Sequence, residues 1–367
     1  MSLIFCACTH ADITAMEWKL AGELPQAGKG LAGPATGVSN NRLIVAGGSN
    51  FPDGMPWLGG KKKYYSEGYI YNKANEDSLV YNKSFSLPFN LAYAASCSTP
   101  KGIVVAGGEN ETGISNKVLL IEINKADSVI TTYLPELPFA VTNAAIIYYN
   151  NKVYLAGGEL SNAVSDKLLM LDLNDTTKGW QSLPHLMHPV SYAVMVTQFN
   201  GIDTSIYLIG GRKKNDNGIS DLYAYTFEFN LNKNKWSQKQ SLPYTLSAGT
   251  GVAAGHHNII LFGGDKGIIF HKTEEIIAEI NTITDGTKKQ QLIEEKKQLQ
   301  SSHPGFSKAV LAYNTIEDKW TAIDSIPFTA PVTTTAVKWN DMIFIPGGEI
   351  KAGVRTPQIL SAKMNVK

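Results

Sequence analysis

A short pattern that occurs six times constrains the fold of this chain more than any other feature. In each copy, a hydrophilic or glycine turn precedes four or five strand-forming residues, and a glycine pair follows them. The second glycines of the six pairs are Gly48, Gly108, Gly158, Gly211, Gly264 and Gly348. Repetition of this kind is the signature of an architecture built from copies of one structural unit. The pattern therefore predicts six similar units.

Each repeat contains further strand-like runs around its glycine pair. One run precedes the pair, a third follows it, and a fourth often opens with tryptophan and closes with Leu-Pro or Ile-Pro, as in KWTAIDSIP. Four short strands with a glycine pair ending the second are typical of a Kelch-type β-propeller blade. One blade cannot bury both of its faces, whereas six around an axis bury one another. We therefore predict an all-β, six-bladed Kelch-type propeller.

The sixth repeat lacks a fourth strand of its own. Its predicted strands are Val332–Lys338, Met342–Pro346 and Gln358–Met364. The fourth-strand signature occurs instead at Trp18–Leu24, before any first strand. We predict that Trp18–Leu24 pairs with Gln358–Met364 and closes the ring, which leaves no open sheet edge. The propeller is accordingly assigned to residues 15–367, and residues 1–14 to a separate terminal segment.

The N-terminus and the composition bound the location and the partners. Ser2–Ala7 is apolar and precedes Cys8, but no basic residues precede it. It is either the tail of a signal peptide, with Cys8 as a lipid acceptor, or a terminus without function; the first reading predicts an exported, periplasmic bacterial protein. No run is long enough to span a membrane. The net charge of +1 gives no global attraction for nucleic acid.

Two insertions interrupt the repeats between a second and a third strand. The first, Ser49–Ser66, is too long for a tight turn. The second occupies residues 265–305, and its segments Glu274–Ile283 and Thr287–Ser301 are predicted helices in the fifth blade. An apolar stripe in the first helix is predicted to pack onto the propeller, and it consists of Ile276, Ile277, Ile280 and Ile283. Loops of this class emerge on one propeller face, so the helices should form a partial lid there.

The sixth glycine pair leads directly into a loop that carries a carboxylate and a guanidinium. Glu349 follows the pair, and Arg355 lies six residues further on, beyond Gly353. A carboxylate can transfer protons, and arginine can hold an anion through two parallel hydrogen bonds. An isolated pair of this kind is more often a surface salt bridge. Its position after the sixth strand–glycine unit favours a functional role at the loop face.

The whole set of features resembles the sialic acid mutarotase family, also called N-acetylneuraminate epimerases. The resemblance covers residues 17–365 and is most specific at GEIKAGVRT, residues 348–356. The blade with this motif is last here rather than central, so the resemblance is to a circularly permuted member. It implies an isomerase that interconverts the anomers of a small acidic sugar, with Glu349 transferring protons and Arg355 as its partner. Ring opening and closure need no metal, nucleotide or redox cofactor.

Polar residues also follow the other glycine pairs, and all are predicted to face the same funnel. They are Asn50, Glu109, Glu159, Arg212 and Asp265. Arg212 and Glu109 are the best candidates for substrate contact, because an acidic polyol needs both a cation and acceptors. The histidines form no convincing cluster and are interpreted as solvated residues.

The alternative is a non-catalytic Kelch propeller that binds a carbohydrate or protein partner. Such a protein should lack a buried Glu–Arg pair and should expose a broad apolar patch. The oligomeric state is left open.

Overall fold

Six antiparallel four-stranded sheets, arranged around one axis, make up the computed structural model, which describes residues 13–25 and 30–366. The first strands of blades 6, 1, 2, 3, 4 and 5 contact one another in that order around the axis. The strands of blades 1 to 3, from axis to rim, are Ala35–Ser39, Arg42–Ala46, Glu67–Lys73 and Leu79–Ser86; Ala95–Thr99, Gly102–Ala106, Val118–Ile123 and Val129–Leu134; and Ala145–Tyr149, Lys152–Ala156, Leu168–Asp172 and Gln181–Leu183.

Blades 4 and 5 follow the same order, and blade 6 takes its outer strand from the N-terminus. Their strands are Val194–Phe199, Thr204–Ile209, Thr226–Asn230 and Lys235–Lys239; Thr250–Ala254, Asn258–Phe262, Ala309–Asn314 and Lys319–Ser325; and Val337–Trp339, Met342–Pro346, Gln358–Val366 and Ile13–Glu23. The six-bladed all-β fold predicted from the glycine pairs is confirmed.

The inner strands of each blade are more buried than its outer strand. The second strands Gly102–Ala106, Asn258–Phe262 and Met342–Pro346 are buried at every position. The outer strand Leu79–Ser86 is exposed or half-buried throughout. An inner strand has a neighbouring blade on each face, so its sequence is a continuous run of apolar residues. Blade-on-blade packing is thus the source of the hydrophobic core.

The glycine pairs allow neighbouring blades to approach each other at backbone distance. Gly47 has φ 67°, and a Cβ on it would lie 2.2 Å from the carbonyl oxygen of Leu91, which leads into blade 2. Gly48 has φ 98°, and its N–H donates to that same oxygen at 2.7 Å. Any other residue would push the blades apart, which explains why the pair recurs.

In blades 3 and 4, the tryptophan at the outer strand joins the blade to the one before it. Trp180 Nε1 donates to the carbonyl oxygen of Pro135 at 2.9 Å, and Trp236 Nε1 donates to that of Pro184 at 3.2 Å. Both acceptors belong to the Leu-Pro segments that end the preceding blade's outer strand. In these two blades the tryptophan and Leu-Pro signatures are therefore two halves of one contact.

The N-terminal strand closes the ring as predicted. Ile13–Glu23 runs antiparallel to Gln358–Val366, with Trp18 opposite Ala362. The first strand of blade 6 was placed wrongly: it spans Val337–Trp339 rather than beginning at residue 332, because Thr333 has φ 51° and interrupts the extended backbone. Residues 1–12, with the candidate signal segment and Cys8, lie outside the described residues, so the limits assigned to residues 1–14 and 15–367 stay predictions.

Two helices form the insertion in the fifth blade. Helix α1 spans Ile268–Thr282 and helix α2 spans Gly286–Ser301. The predicted break is confirmed: Asp285 caps α2 by accepting hydrogen bonds from two backbone N–H groups. Helix α1 begins earlier than predicted, after Gly267 with φ 87°. No helix in the described part of the chain combines the length and apolar character needed to cross a membrane.

The apolar stripe on α1 does not form one buried face, so that prediction is only partly right. Ile276 is buried, Ile280 and Ile283 are half-buried, and Ile277 is 39% exposed. Ile277 instead lines a cavity between the helix and the propeller. The helix therefore leans over an open space rather than lying flat on the blades.

Candidate active site

The loops between second and third strands enclose a cavity of about 710 Å³ on one face of the propeller. They contribute four short ribbons: Ser49–Asn50 with Lys63–Tyr64, Glu109–Asn110 with Gly113–Ile114, Arg212–Lys214 with Ser220–Leu222, and Glu349–Lys351 with Val354–Arg355. Helix α1 and the chain after α2 complete the wall through Phe270, Ile277, His303 and Phe306. The helices thus lie over the face that carries Glu349, as predicted.

A closed ring of backbone hydrogen bonds forms the floor of this cavity. One residue of each blade contributes: Gly33, Tyr93, Asn143, Tyr192, Ala248 and Thr333. Each N–H donates to the carbonyl oxygen of the residue before it in the ring, at 2.7 to 3.1 Å, and Gly33 donates to Thr333. All six have φ between 51° and 64°. All six backbone N–H groups are bonded within the ring, so they are not available to a ligand. The side chains of four ring residues line the cavity, and these are Tyr93, Asn143, Tyr192 and Thr333.

Glu349 and Arg355 face each other across one ribbon. They are directly paired in the register of that ribbon, and Glu349 Oε2 lies 3.0 Å from Arg355 Nη1. The other carboxylate oxygen, Oε1, accepts from the N–H of Gly353 at 2.9 Å. Gly353 has φ 73° and turns the chain back between the two side chains. The six-residue spacing therefore brings both groups to one wall of the cavity.

Burial gives this pair its electrostatic character. Desolvation raises the pKa of Glu349 above its ordinary value, although the nearby Arg355 charge acts in the opposite direction. The Arg355 side chain is only 5% exposed and lies over the ring of Phe51, with Cζ 4.9 Å from the centroid. Its Nε donor has no hydrogen-bond partner among the described residues. The pair thus combines a carboxyl group that holds its proton more tightly than usual with a guanidinium that has donor capacity to spare.

A second guanidinium stands across the cavity. Arg212 lies between two aromatic rings, with Cζ 4.3 Å from the centroid of Tyr192 and 4.4 Å from that of Phe270 on α1. Its Nη2 donates to Glu159 Oε1 at 3.3 Å, which joins blade 4 to blade 3. Its Nε, like that of Arg355, is buried without a hydrogen-bond partner in residues 13–25 and 30–366. The stacked rings hold this cation in place while leaving it able to bind an anion.

The remaining predicted residues divide into those that line the cavity and one that does not. Glu109 lines it and accepts from Lys62 at 3.1 Å and Tyr64 at 2.8 Å. Asp265 also lines it, and its carboxylate caps the turn into α1. Asn50 does not reach the cavity, contrary to the prediction: its buried amide bonds the backbone oxygen of Gly30 and the hydroxyl of Tyr65.

Sequence reasoning missed several cavity residues. Tyr93 and Tyr192 occupy the same repeat position, just before a first strand, and an alignment of the six repeats would have found them. The interpretation of the histidines as solvated residues is wrong for His257 and His303, which are 4% and 8% exposed. His303 lines the cavity. Its position in an insertion without a repeat equivalent left no signal in the sequence.

The fold and the site define a propeller with a charged cavity of the size that binds small molecules. The profile of the family described as "NANM: N-acetylneuraminate epimerase" matches residues 134–367, well over half of the chain. The chain belongs to the N-acetylneuraminate epimerase family.

Individual relatives are more distant and match over shorter segments. The N-acetylneuraminate epimerase of Salmonella typhimurium is 26% identical over 163 residues, which are 44% of this chain and 42% of the relative. The protein of the same name from Vibrio vulnificus is 22% identical over 184 residues, covering 49% and 47% respectively. The aligned part of the chain thus spans less than half the length of these curated relatives.

The solved structure of YjhT shares the fold along nearly the whole chain. It superposes with a TM-score of 0.65 at 15% identity and covers 95% of this chain and 100% of YjhT. This likeness supports the propeller architecture. Whether the blade order is permuted relative to the family stays a prediction.

Proposed function

We propose that this protein is a mutarotase that interconverts the anomers of N-acetylneuraminate. The observation that carries the proposal is the Glu349–Arg355 pair, with its 3.0 Å contact, in the wall of a cavity of about 710 Å³. Family membership supplies the class of substrate, since the matched relatives are named N-acetylneuraminate epimerases.

In the proposed reaction Glu349 is the general base. Its carboxylate takes the proton of the anomeric hydroxyl, the bond between the anomeric carbon and the ring oxygen breaks, and a carbonyl forms. The proton returns to the substrate at the ring oxygen, so that none is gained or lost overall. Rotation of the carbonyl and reclosure then give the other anomer. A base whose pKa is raised toward neutrality suits such reversible transfer.

The two arginines take the anionic and polar groups of the substrate. The carboxylate on the anomeric carbon lies next to the reacting hydroxyl, so Arg355, beside the base, is the proposed clamp. Its Nε, which has no hydrogen-bond partner within residues 13–25 and 30–366, supplies donor capacity for this role. Arg212 is the second proposed cation, and Glu109, Glu159 and Asp265 are proposed acceptors for hydroxyl groups.

A binding propeller without catalysis is the rival hypothesis. A protein of that kind would have no reason to bury a carboxyl group next to a guanidinium, because the desolvation costs free energy. The buried pair therefore favours the enzyme. An exported, periplasmic location remains a prediction from Ser2–Cys8, outside the described residues.

Proton NMR of freshly released α-N-acetylneuraminate tests the proposal directly. The α and β anomers give separate signals, so the approach to equilibrium can be followed within minutes of release. We expect the protein to accelerate the conversion in proportion to its concentration. Binding of the sugar without any acceleration over buffer would overturn the proposal and favour the binding propeller.

A further inference from the structure

The chain that follows helix α2 brings one buried histidine to the cavity. His303 lies two residues beyond the helix end at Ser301, is 8% exposed, and lines the same cavity as Glu349 and Arg355. The repeats do not supply an equivalent residue, because the position belongs to the insertion. A mostly buried polar side chain that still reaches the wall of a cavity is a candidate for contact with a bound molecule.

The local hydrogen bonds determine which ring nitrogen is available. His303 Nδ1 accepts from the backbone N–H of Gly305 at 3.0 Å. In the neutral ring the proton is therefore on Nε2. The ring also packs against Phe306, with centroids 4.9 Å apart, which restricts its rotation. Nε2 has no hydrogen bond to the residues that the structure describes, and it is not among their fully buried polar atoms without a partner.

The surroundings favour the uncharged ring. Burial lowers the pKa of His303 below its ordinary value; the nearby carboxylate of Asp265 opposes this shift, and the charge of Lys351 adds to it. These are the charged groups that act on the ring from blades 5 and 6. At neutral pH the Nε2–H is thus a donor without a formal charge.

We propose that His303 donates a hydrogen bond from Nε2 to an uncharged acceptor oxygen of the sugar, and so holds the substrate against the Glu349–Arg355 wall. The inference rests on the proposed function and adds a residue of the helical insertion to the substrate-binding groups. A neutral donor suits a hydroxyl or carbonyl oxygen, whereas the two guanidinium groups suit the carboxylate.

Two substitutions separate this role from a structural one. His303→Asn keeps an acceptor near Nδ1 for the Gly305 N–H but has no atom at the place of Nε2. His303→Gln can put an amide donor at that place. We expect Asn to weaken binding of N-acetylneuraminate about threefold to tenfold, the effect of one lost neutral hydrogen bond. We expect Gln to stay within about twofold of the parent.

The measurements are titration calorimetry with N-acetylneuraminate and the NMR anomer assay on the same preparations, at pH values from 5.5 to 8. The parent and His303→Gln proteins should share one pH profile, because a neutral donor does not titrate in its role. Two results would overturn the inference and leave the proposed function standing. One is binding by His303→Asn as tight as that of the parent. The other is a change of binding or exchange rate with pH that the parent shows and His303→Gln lacks. A parent protein that does not accelerate anomer exchange would instead overturn the proposed function, and this inference with it.

Discussion

Replacement of Glu349 by Gln removes the proposed base with little change of shape. In the parent protein the N–H of Gly353 donates to Glu349 Oε1 at 2.9 Å, and the amide oxygen of Gln can accept the same hydrogen bond. The contact of 3.0 Å between Oε2 and Arg355 Nη1 loses its charge. The substitution therefore tests the chemistry of the carboxyl group rather than the form of the loop.

The expected effect on rate is much larger than the effect on stability. General base catalysis contributes about 10²–10⁴-fold, so exchange in the Glu349→Gln protein should slow by that factor, less where water substitutes. This equals about 3–5 kcal/mol of transition-state stabilisation. Leaving Arg355 without its charged partner should cost about 1–3 kcal/mol of folding free energy, which a stable domain tolerates.

The assay is the NMR anomer exchange, with thermal unfolding to verify the fold. Glu136→Gln is the matched control, since Glu136 is exposed, pairs with Lys117 on the surface and does not line the cavity. It should exchange anomers like the parent. A folded Glu349→Gln protein that exchanges as fast as the Glu136→Gln control would refute the assignment of the base.

Three further predictions concern pH, the clamp and the floor. Burial raises the pKa of Glu349, so activity should rise with pH over a range above the ordinary value of 4.5. The folding stability that this proton contributes is fully present below 4.5 and should fall over the same pH range. A pH–rate profile and pH-dependent melting test both, and a rise in activity that persists in Glu349→Gln would contradict the assignment. Arg355→Lys keeps the charge but loses the fork, so binding in calorimetry should weaken about 10- to 100-fold, and unchanged affinity would exclude the clamp. Ala248→Gly should raise the unfolding free energy in denaturant titrations by about 0.5–1 kcal/mol, because Ala248 has φ 55°, a conformation that favours glycine. Gly33→Ala should lower the unfolding free energy, because the new Cβ would lie 2.7 Å from the amide nitrogen of Tyr93. A loss of stability in Ala248→Gly would contradict this explanation of the ring.

Local patterns in the sequence were enough to predict the fold. The glycine pairs, such as Gly47 and Gly48, recur because five of the six blades meet the next blade at the same backbone contact. The displaced fourth strand at Trp18–Leu24 predicted the closure, because strand pairing depends on a short stretch of residues. The meeting of Glu349 with Arg355 could likewise be predicted, since a ribbon of seven residues brings them together without help from the rest of the chain.

Only the tertiary structure decided how groups from different blades meet. Asn50 lies two residues after its glycine pair and Glu109 lies directly after its own; the amide of Asn50 is used inside the protein, whereas Glu109 lines the cavity. Arg212 is placed by rings and a carboxylate from blade 3, blade 4 and helix α1. His303 arrives through an insertion that repeats nothing else in the chain. Periodicity specifies how each blade folds, but side chains far apart in sequence come together only when the closed ring fixes the distance between blades.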